Sequence, residues 1–160
     1  MMPFRVGIGF DVHPLSGERK LVLGGVLIPN DRGLAGHSDA DVLVHALCDA
    51  LLGAAALGDM GTHFPDSDEK YKNISSLQLL AQVNTMIRKA AFQIGNIDAV
   101  VVAQQPRLAP FVPAMRQALA ETLQVASTQI SIKATTTEHL GFTGREEGIA
   151  AMVTVLLQTA

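Results

Sequence analysis

The stretch "GFDVHPL", from Gly9 to Leu15, places an aspartate and a histidine two positions apart at the end of an apolar run. In a β-strand, residues i and i+2 share a face, so Asp11 and His13 can converge on one point from a rigid element. Further along, "HSDADVLVHALCDALLGAAALG" carries Asp41, His45 and Asp49 at i, i+4 and i+8, one polar stripe on an otherwise apolar helix. His45 can complete an Asp-His-His set, with a neighbouring carboxylate orienting its second ring nitrogen. Three nitrogen and oxygen donors suit a zinc ion that keeps one position open, the arrangement of a catalytic site. Each histidine alone reads as an ordinary hydrogen-bonded residue; the three together point to metal.

Two further segments carry polar groups suited to phosphate. His37 and Ser38 precede the His45 helix, whose N-terminus favours an anion; His37 there reads either as a phosphate contact or as a loop histidine beside a cap. "IKATTTEHLGFTGR" ends a strand with three threonine hydroxyls and adds Glu138, an oxygen ligand suited to magnesium or manganese, or is simply a polar strand exit. The combination suggests two metals handling phosphates and names no substrate.

The elements that must position these groups follow from periodicity. A first strand is predicted from Phe4 to His13, with Val6, Ile8, Phe10 and Val12 facing the core and Gly7 and Gly9 leaving room for substrate beside the backbone. "KLVLGGVLIP" predicts a hairpin about Gly24-Gly25, and "NDRGLAG" a loop. The first helix is predicted to start with Ser38 as N-cap and Asp41 as its acidic N3 partner, and to stop at Gly58. A long exposed loop, "DMGTHFPDSDEKYKN", precedes a second helix from Ser75 to Ile94 and the strand "NIDAVVVAQQP". A third helix has Pro110 and Pro113 in its first turn, "QISIKA" begins a strand, and the final apolar run reads as a strand.

With 160 residues, 48% hydrophobic, the chain suits one α/β domain with a real core. A net charge of −3 gives no reason to expect nucleic acid or an anionic membrane as partner. The single cysteine, Cys48, rules out an internal disulfide framework and fits a reducing compartment, predicted to be the cytoplasm. No membrane span is expected, because His45 and Asp49 interrupt the stretch from Val42 to Gly58; "MMPFRVGIGF" has no signal-peptide pattern and is expected to join the fold.

"GFDVHPL", "HSDADVLVHALCDALLGAAALGDMGTHFPDSD" and "KATTTEHLGFTGREEGIA" together closely resemble the 2-C-methyl-D-erythritol 2,4-cyclodiphosphate synthase family of the non-mevalonate isoprenoid pathway. The resemblance covers nearly the whole chain. It implies an α+β protomer with a mixed four-stranded sheet packed on helices plus a short hairpin, assembled as a homotrimer with active sites between subunits. The implied reaction turns a cytidine diphosphate-linked methylerythritol 2-phosphate into the cyclic diphosphate and releases CMP. Rival readings of the same ligands are a metal-dependent phosphohydrolase and a non-catalytic trimer that binds nucleotide or isoprenoid.

Residue by residue, the resemblance implies zinc on Asp11, His13 and His45, and a second divalent ion, magnesium or manganese, at Glu138. His37 and Thr136 are the implied stabilisers of transition-state charge, and His37 and Ser38 contact substrate. Asp59 and Gly61 are expected near the ribose and erythritol, followed by a mobile loop from Phe64 to Asp68 with Asp66 on the erythritol part. Ala103 and the run Pro106, Arg107, Leu108 and Ala109 map to the cytidine pocket, with Thr135 and Thr136 near the phosphates. Phe142, Arg145 and Glu147 map to a cavity along the trimer axis that can hold an isoprenoid diphosphate. Two positions depart from the family's lysines: Arg107, which keeps the charge in another shape, and His139 after Glu138.

Overall fold

The computed structural model describes residues 3–160. Its elements are β1 (Phe4–Ser16), β2 (Leu21–Leu23), β3 (Val26–Ile28), β4 (Gly33–Leu34), α1 (Val42–Ala54), α2 (Met60–His63), α3 (Ser76–Lys89), β5 (Phe92–Val102), α4 (Val112–Leu123), β6 (Ile130–Thr135), α5 (Gly141–Gly144) and β7 (Gly148–Thr159). Single 3-10 turns at Glu69–Tyr71, Ala109–Phe111 and Ser127–Gln129 punctuate the loops. The main sheet has five strands, in the order β4-β1-β7-β5-β6, not the four expected. The extra strand is β4, read from sequence as loop because two residues carry no periodicity; it pairs antiparallel with Leu15 and Ser16 at the end of β1. β7 lies antiparallel to both β1 and β5, while β6 runs parallel to β5, so the sheet is mixed.

β2 and β3 form the expected hairpin, with Gly24 and Gly25 at φ of +57° and +75°, as a tight two-residue turn requires. That turn is tied to α1 by Asp41. Its fully buried carboxylate accepts the Gly24 N–H at 3.0 Å and the Gly25 N–H at 2.7 Å, and caps α1 through the Val44 N–H at 3.1 Å. Asp41, not Ser38, is therefore the N-cap, and α1 ends at Ala54 rather than running to Gly58. α3 likewise stops at Lys89 rather than Ile94: Ala91 turns the chain at φ +62°, and β5 starts at Phe92. The long segment before α3 is not all exposed loop, since α2 forms within it and Phe64 and Tyr71 are buried edge-to-face, ring centroids 5.3 Å apart.

The faces of β1 are the reverse of the sequence expectation. Gly7 and Gly9 lie under α1, so close that an added Cβ would sit 2.0 Å from the Ala50 carbonyl oxygen and 1.8 Å from that of Ala46. The large residues face outward: Val6 is 73% exposed, Ile8 64% and Phe10 57%. Alternation along a strand tells which residues share a face, but not which face a helix will cover. Here α1 covers the small face, setting Ala46, Ala50 and Ala54 against Gly7 and Gly9 at a distance that any larger side chain there would block. The core lies between this face of the sheet and α1, α3 and α4.

Candidate active site

β1 and α1 meet at Asp11, His13 and His45. Asp11 and His13 leave β1 on the face covered by α1, and His45 lies in the first turn of that helix. Asp11 Oδ2 is 2.9 Å from His13 Nε2 and 3.2 Å from His45 Nδ1, and the two ring nitrogens are 3.1 Å apart. A tetrahedral zinc ion with bonds of about 2.0–2.1 Å holds its ligand atoms about 3.3 Å apart, close to this spacing. Among the described residues this is the one group of three such donors within reach of a single ion.

The donor set also fits a cation chemically. His13 Nδ1 lies 2.9 Å from the Ala35 carbonyl oxygen, which only accepts; Nδ1 must carry the proton, leaving a bare lone pair on Nε2. Asp11 Oδ2 is buried and has no hydrogen-bond donor. A carboxylate oxygen and an imidazole lone pair held face to face call for a positive charge between them. With no ion bound, a proton supplies that charge: burial alone would raise the Asp11 carboxyl, yet imidazole rings donating to it outweigh this and hold the group down to about 2. Burial works to lower His13, and Asp11 more than reverses this, raising it above its ordinary value.

The two acids and the histidine of the α1 stripe have separate roles. Asp41 caps the helix, His45 joins the cluster, and Asp49 accepts the Met60 N–H at 2.8 Å, holding the start of α2. Burial is the main cause raising the Asp49 carboxyl, with Asp59 and Asp11 adding to it against the pull of Met60. No carboxylate touches His45 Nε2. It instead lies 2.9 Å from both Ser38 Oγ and Ser76 Oγ, and Ser76 Oγ in turn meets Asp39. Ser76 and Asp39 were missed from sequence, because a serine opening a helix and an aspartate in a polar loop read as ordinary caps.

The structure gathers most other predicted residues into two cavities. One, about 440 Å³, is lined by the cluster together with His37, Ser38, Gly61, Phe64 and Asp66. The other, about 230 Å³, is lined by Ala103, Pro106, Arg107, Leu108, Ala109, Thr135 and Thr136. Both open at the same end of the sheet: Val12 of β1 and Val102 of β5 flank Ala150 of β7, and Thr135 of β6 pairs with Val102. Six predicted residues line neither cavity. Asp59 caps α2, where the Thr62 hydroxyl draws its carboxyl below its ordinary value. Asp68 caps the Glu69–Tyr71 turn, its carbonyl oxygen 3.3 Å from His37 Nε2. Glu138 is exposed after β6, Phe142 lies in α5, and Arg145 pairs with Glu147 at 3.2 Å. A larger cavity, about 540 Å³, lies where α3 and α4 meet the start of β5 and holds none of the predicted residues.

The model of the YgbB family matches residues 4–158. The chain belongs to the YgbB family. Its family relatives include the 2-C-methyl-D-erythritol 2,4-cyclodiphosphate synthase of Desulforamulus reducens, 61% identical over 96% of this chain and 98% of the relative. The synthase of the same name from Syntrophomonas wolfei is 60% identical over 98% of this chain and 99% of the relative. Among solved structures, IspF of Plasmodium falciparum, determined as a CDP complex, superposes with a TM-score of 0.86 at 33% identity, over 98% of this chain and 96% of that one. The bifunctional IspDF of Campylobacter jejuni superposes more closely, at a TM-score of 0.95 and 48% identity; this YgbB-family chain spans 42% of it.

Proposed function

We infer that this chain is a metal-dependent cyclase that converts 4-CDP-2-C-methyl-D-erythritol 2-phosphate into 2-C-methyl-D-erythritol 2,4-cyclodiphosphate and releases CMP. It is thus a phosphorus-oxygen lyase of non-mevalonate isoprenoid biosynthesis. The observation that carries the reading is family membership over nearly the whole chain, joined to a half-buried Asp-His-His donor set that lines a cavity of about 440 Å³. The reaction needs no protein nucleophile. An oxygen of the substrate's 2-phosphate attacks the β-phosphorus, a new P–O bond forms, and the bond to the departing CMP breaks. What the protein supplies is a folded substrate in line for attack, an effect of about 7–11 kcal/mol where alignment is good.

Asp11, His13 and His45 would hold zinc, which when bound neutralises phosphate charge as a Lewis acid. Glu138 would help hold the second ion, magnesium or manganese. His37 and Thr136 stabilise charge on the reacting phosphates, Ser38, Asp66 and the loop from Phe64 to Asp68 close over the erythritol part, and the Ala103 and Pro106–Ala109 cavity takes cytidine. Gly61 leaves its cavity wall without a side chain, and Asp59 caps the short helix α2 that carries it. The working unit is a homotrimer, located in the cytoplasm, with sites shared between adjacent copies. Two features support sharing: the two cavities are separate within one chain, and β1 exposes a stripe of Phe4, Val6, Ile8, Phe10 and Val12 that water does not favour. Phe142, Arg145 and Glu147 would line the axial cavity, where an isoprenoid diphosphate can bind.

Product analysis tests the reaction: metal-loaded protein should yield a cyclic diphosphate and CMP in equal amounts. A linear phosphorylated product would favour a phosphohydrolase, and no CMP at all a binding protein. His37→Ala is expected to lower turnover about 100-fold, the usual effect of removing one charge-stabilising donor, with zinc content unchanged. Unchanged turnover in that variant would remove His37 from the reacting centre.

A further inference from the structure

Ser76, the first residue of α3, is fully buried, and its Oγ lies between His45 and Asp39. The Asp39 carboxylate is fixed from several sides. Oδ2 accepts the Ser76 N–H at 2.9 Å, Oδ1 accepts the Asp41 N–H at 3.2 Å, and the Asp39 N–H donates to the Ile74 carbonyl oxygen at 3.1 Å. A hydroxyl has one proton to give, and a carboxylate can only accept. The Ser76 proton therefore goes to Asp39 Oδ1, leaving only lone pairs towards His45. His45 Nε2, 2.9 Å away, must carry the ring proton and donate it. The reverse assignment, with Ser76 donating to Nε2, would set a carboxylate oxygen against a hydroxyl oxygen with no proton between them.

We propose that Ser76, held by Asp39, is the positioning residue that fixes His45 as its Nε2–H tautomer and presents the Nδ1 lone pair to the metal. This rests on the metal reading of Asp11, His13 and His45. Ligating histidines commonly donate their second N–H straight to a carboxylate or carbonyl. His13 does so through the Ala35 carbonyl, whereas His45 reaches its carboxylate through one interposed hydroxyl. Ser38 Oγ, also 2.9 Å from Nε2 and accepting the Ala40 N–H at 3.3 Å, adds a second acceptor on the same side. The relay links the loop that carries His37 to the start of α3, so the ring orientation of His45 depends on both. Neither Ser76 nor Asp39 lines the cavity that holds the cluster, so their effect passes through His45.

The test uses the full chain, labelled with 15N in its histidines, metal-free, at a pH where the ring-nitrogen shifts themselves show the imidazoles neutral. Long-range proton–nitrogen correlation should show His45 of the wild type as a single Nε2–H tautomer. Ser76→Ala should mix the tautomers and weaken zinc binding, read by competition with a chromophoric chelator, by about 10- to 100-fold. Ser76→Thr, which keeps the hydroxyl, should restore both. Asp39→Asn should shift both readouts in the same direction, and carries the test if Ser76→Ala does not fold. An unchanged tautomer and unchanged zinc affinity in the folded variants would overturn the proposal. Should the wild type take up no zinc, the metal reading fails separately; the tautomer readout still decides the role of Ser76.

Discussion

Asp11→Asn is expected to lose stoichiometric zinc and to lower CMP release by about 1,000-fold, the equivalent of about 4 kcal/mol of charge stabilisation. The substitution keeps the shape of the side chain and removes its charge. Either the amide oxygen, a weaker donor, faces the two imidazoles, or the NH2 group does and occupies the space where an ion would sit. The carboxylate is the one anionic member of the set, held down to about 2 by His13 and His45 against its own burial. Its loss leaves two ring nitrogens 3.1 Å apart, an uncharged donor pair that binds a dication far less firmly. Metal analysis and CMP release measured on the same preparation check this. Full zinc content with full activity in the variant would move the site away from Asp11.

Gly9→Ala is expected to destabilise the fold by about 3 kcal/mol or more, the upper part of the range for overpacking a core. In a domain of this size that lowers Tm by about 10 °C. The new methyl group would lie 1.8 Å from the Ala46 carbonyl oxygen, which is helix backbone and has no rotamer to escape into. β1 and α1 must separate, and they carry Asp11 with His13 and His45 respectively. The same substitution should therefore weaken zinc binding as well as stability. Gly53→Ala is the matched control: it adds a methyl group to α1 where nothing lies within 4 Å. It is expected to leave zinc binding alone and stabilise the helix by about 0.5–1 kcal/mol. Equal thermal melts for Gly9→Ala and wild type would contradict the close-approach account.

The donor residues were legible in the sequence because their information is local. Asp11 and His13 are two apart on a strand, and His45 stands out as a polar residue on an apolar helix. The hairpin was legible for the same reason, as Gly24-Gly25 allows few other conformations. What could not be read was which partner each surface would meet. Val6, Ile8 and Phe10 look like a core face until α1, with its own small residues, is seen lying on Gly7 and Gly9. Asp41 looked like a member of a metal stripe, yet it joins a helix start to a turn that lies 16 residues earlier in the chain. Ser76 and His45 are 31 residues apart, and no period links them. The helix pattern continued past Lys89 because nothing in the composition there announces the turn at Ala91.

The pairing of β1 with β7 has a consequence for how the site comes into being. From Phe4 opposite Gln158 to Pro14 opposite Gly148, the first strand among the described residues lies against the last. Closing that pairing brings together segments separated by almost the whole sequence, a non-local step of the kind that slows folding. A chain emerging from the ribosome makes Asp11 and His13 first, but β1 must wait for β7 before it has its neighbour in the sheet centre. The Asp11-His13-His45 cluster is thus set by a strand made after all three of its residues, although none of them lies there. Loss of a few residues from β7 should disturb zinc binding at a site encoded more than a hundred residues earlier.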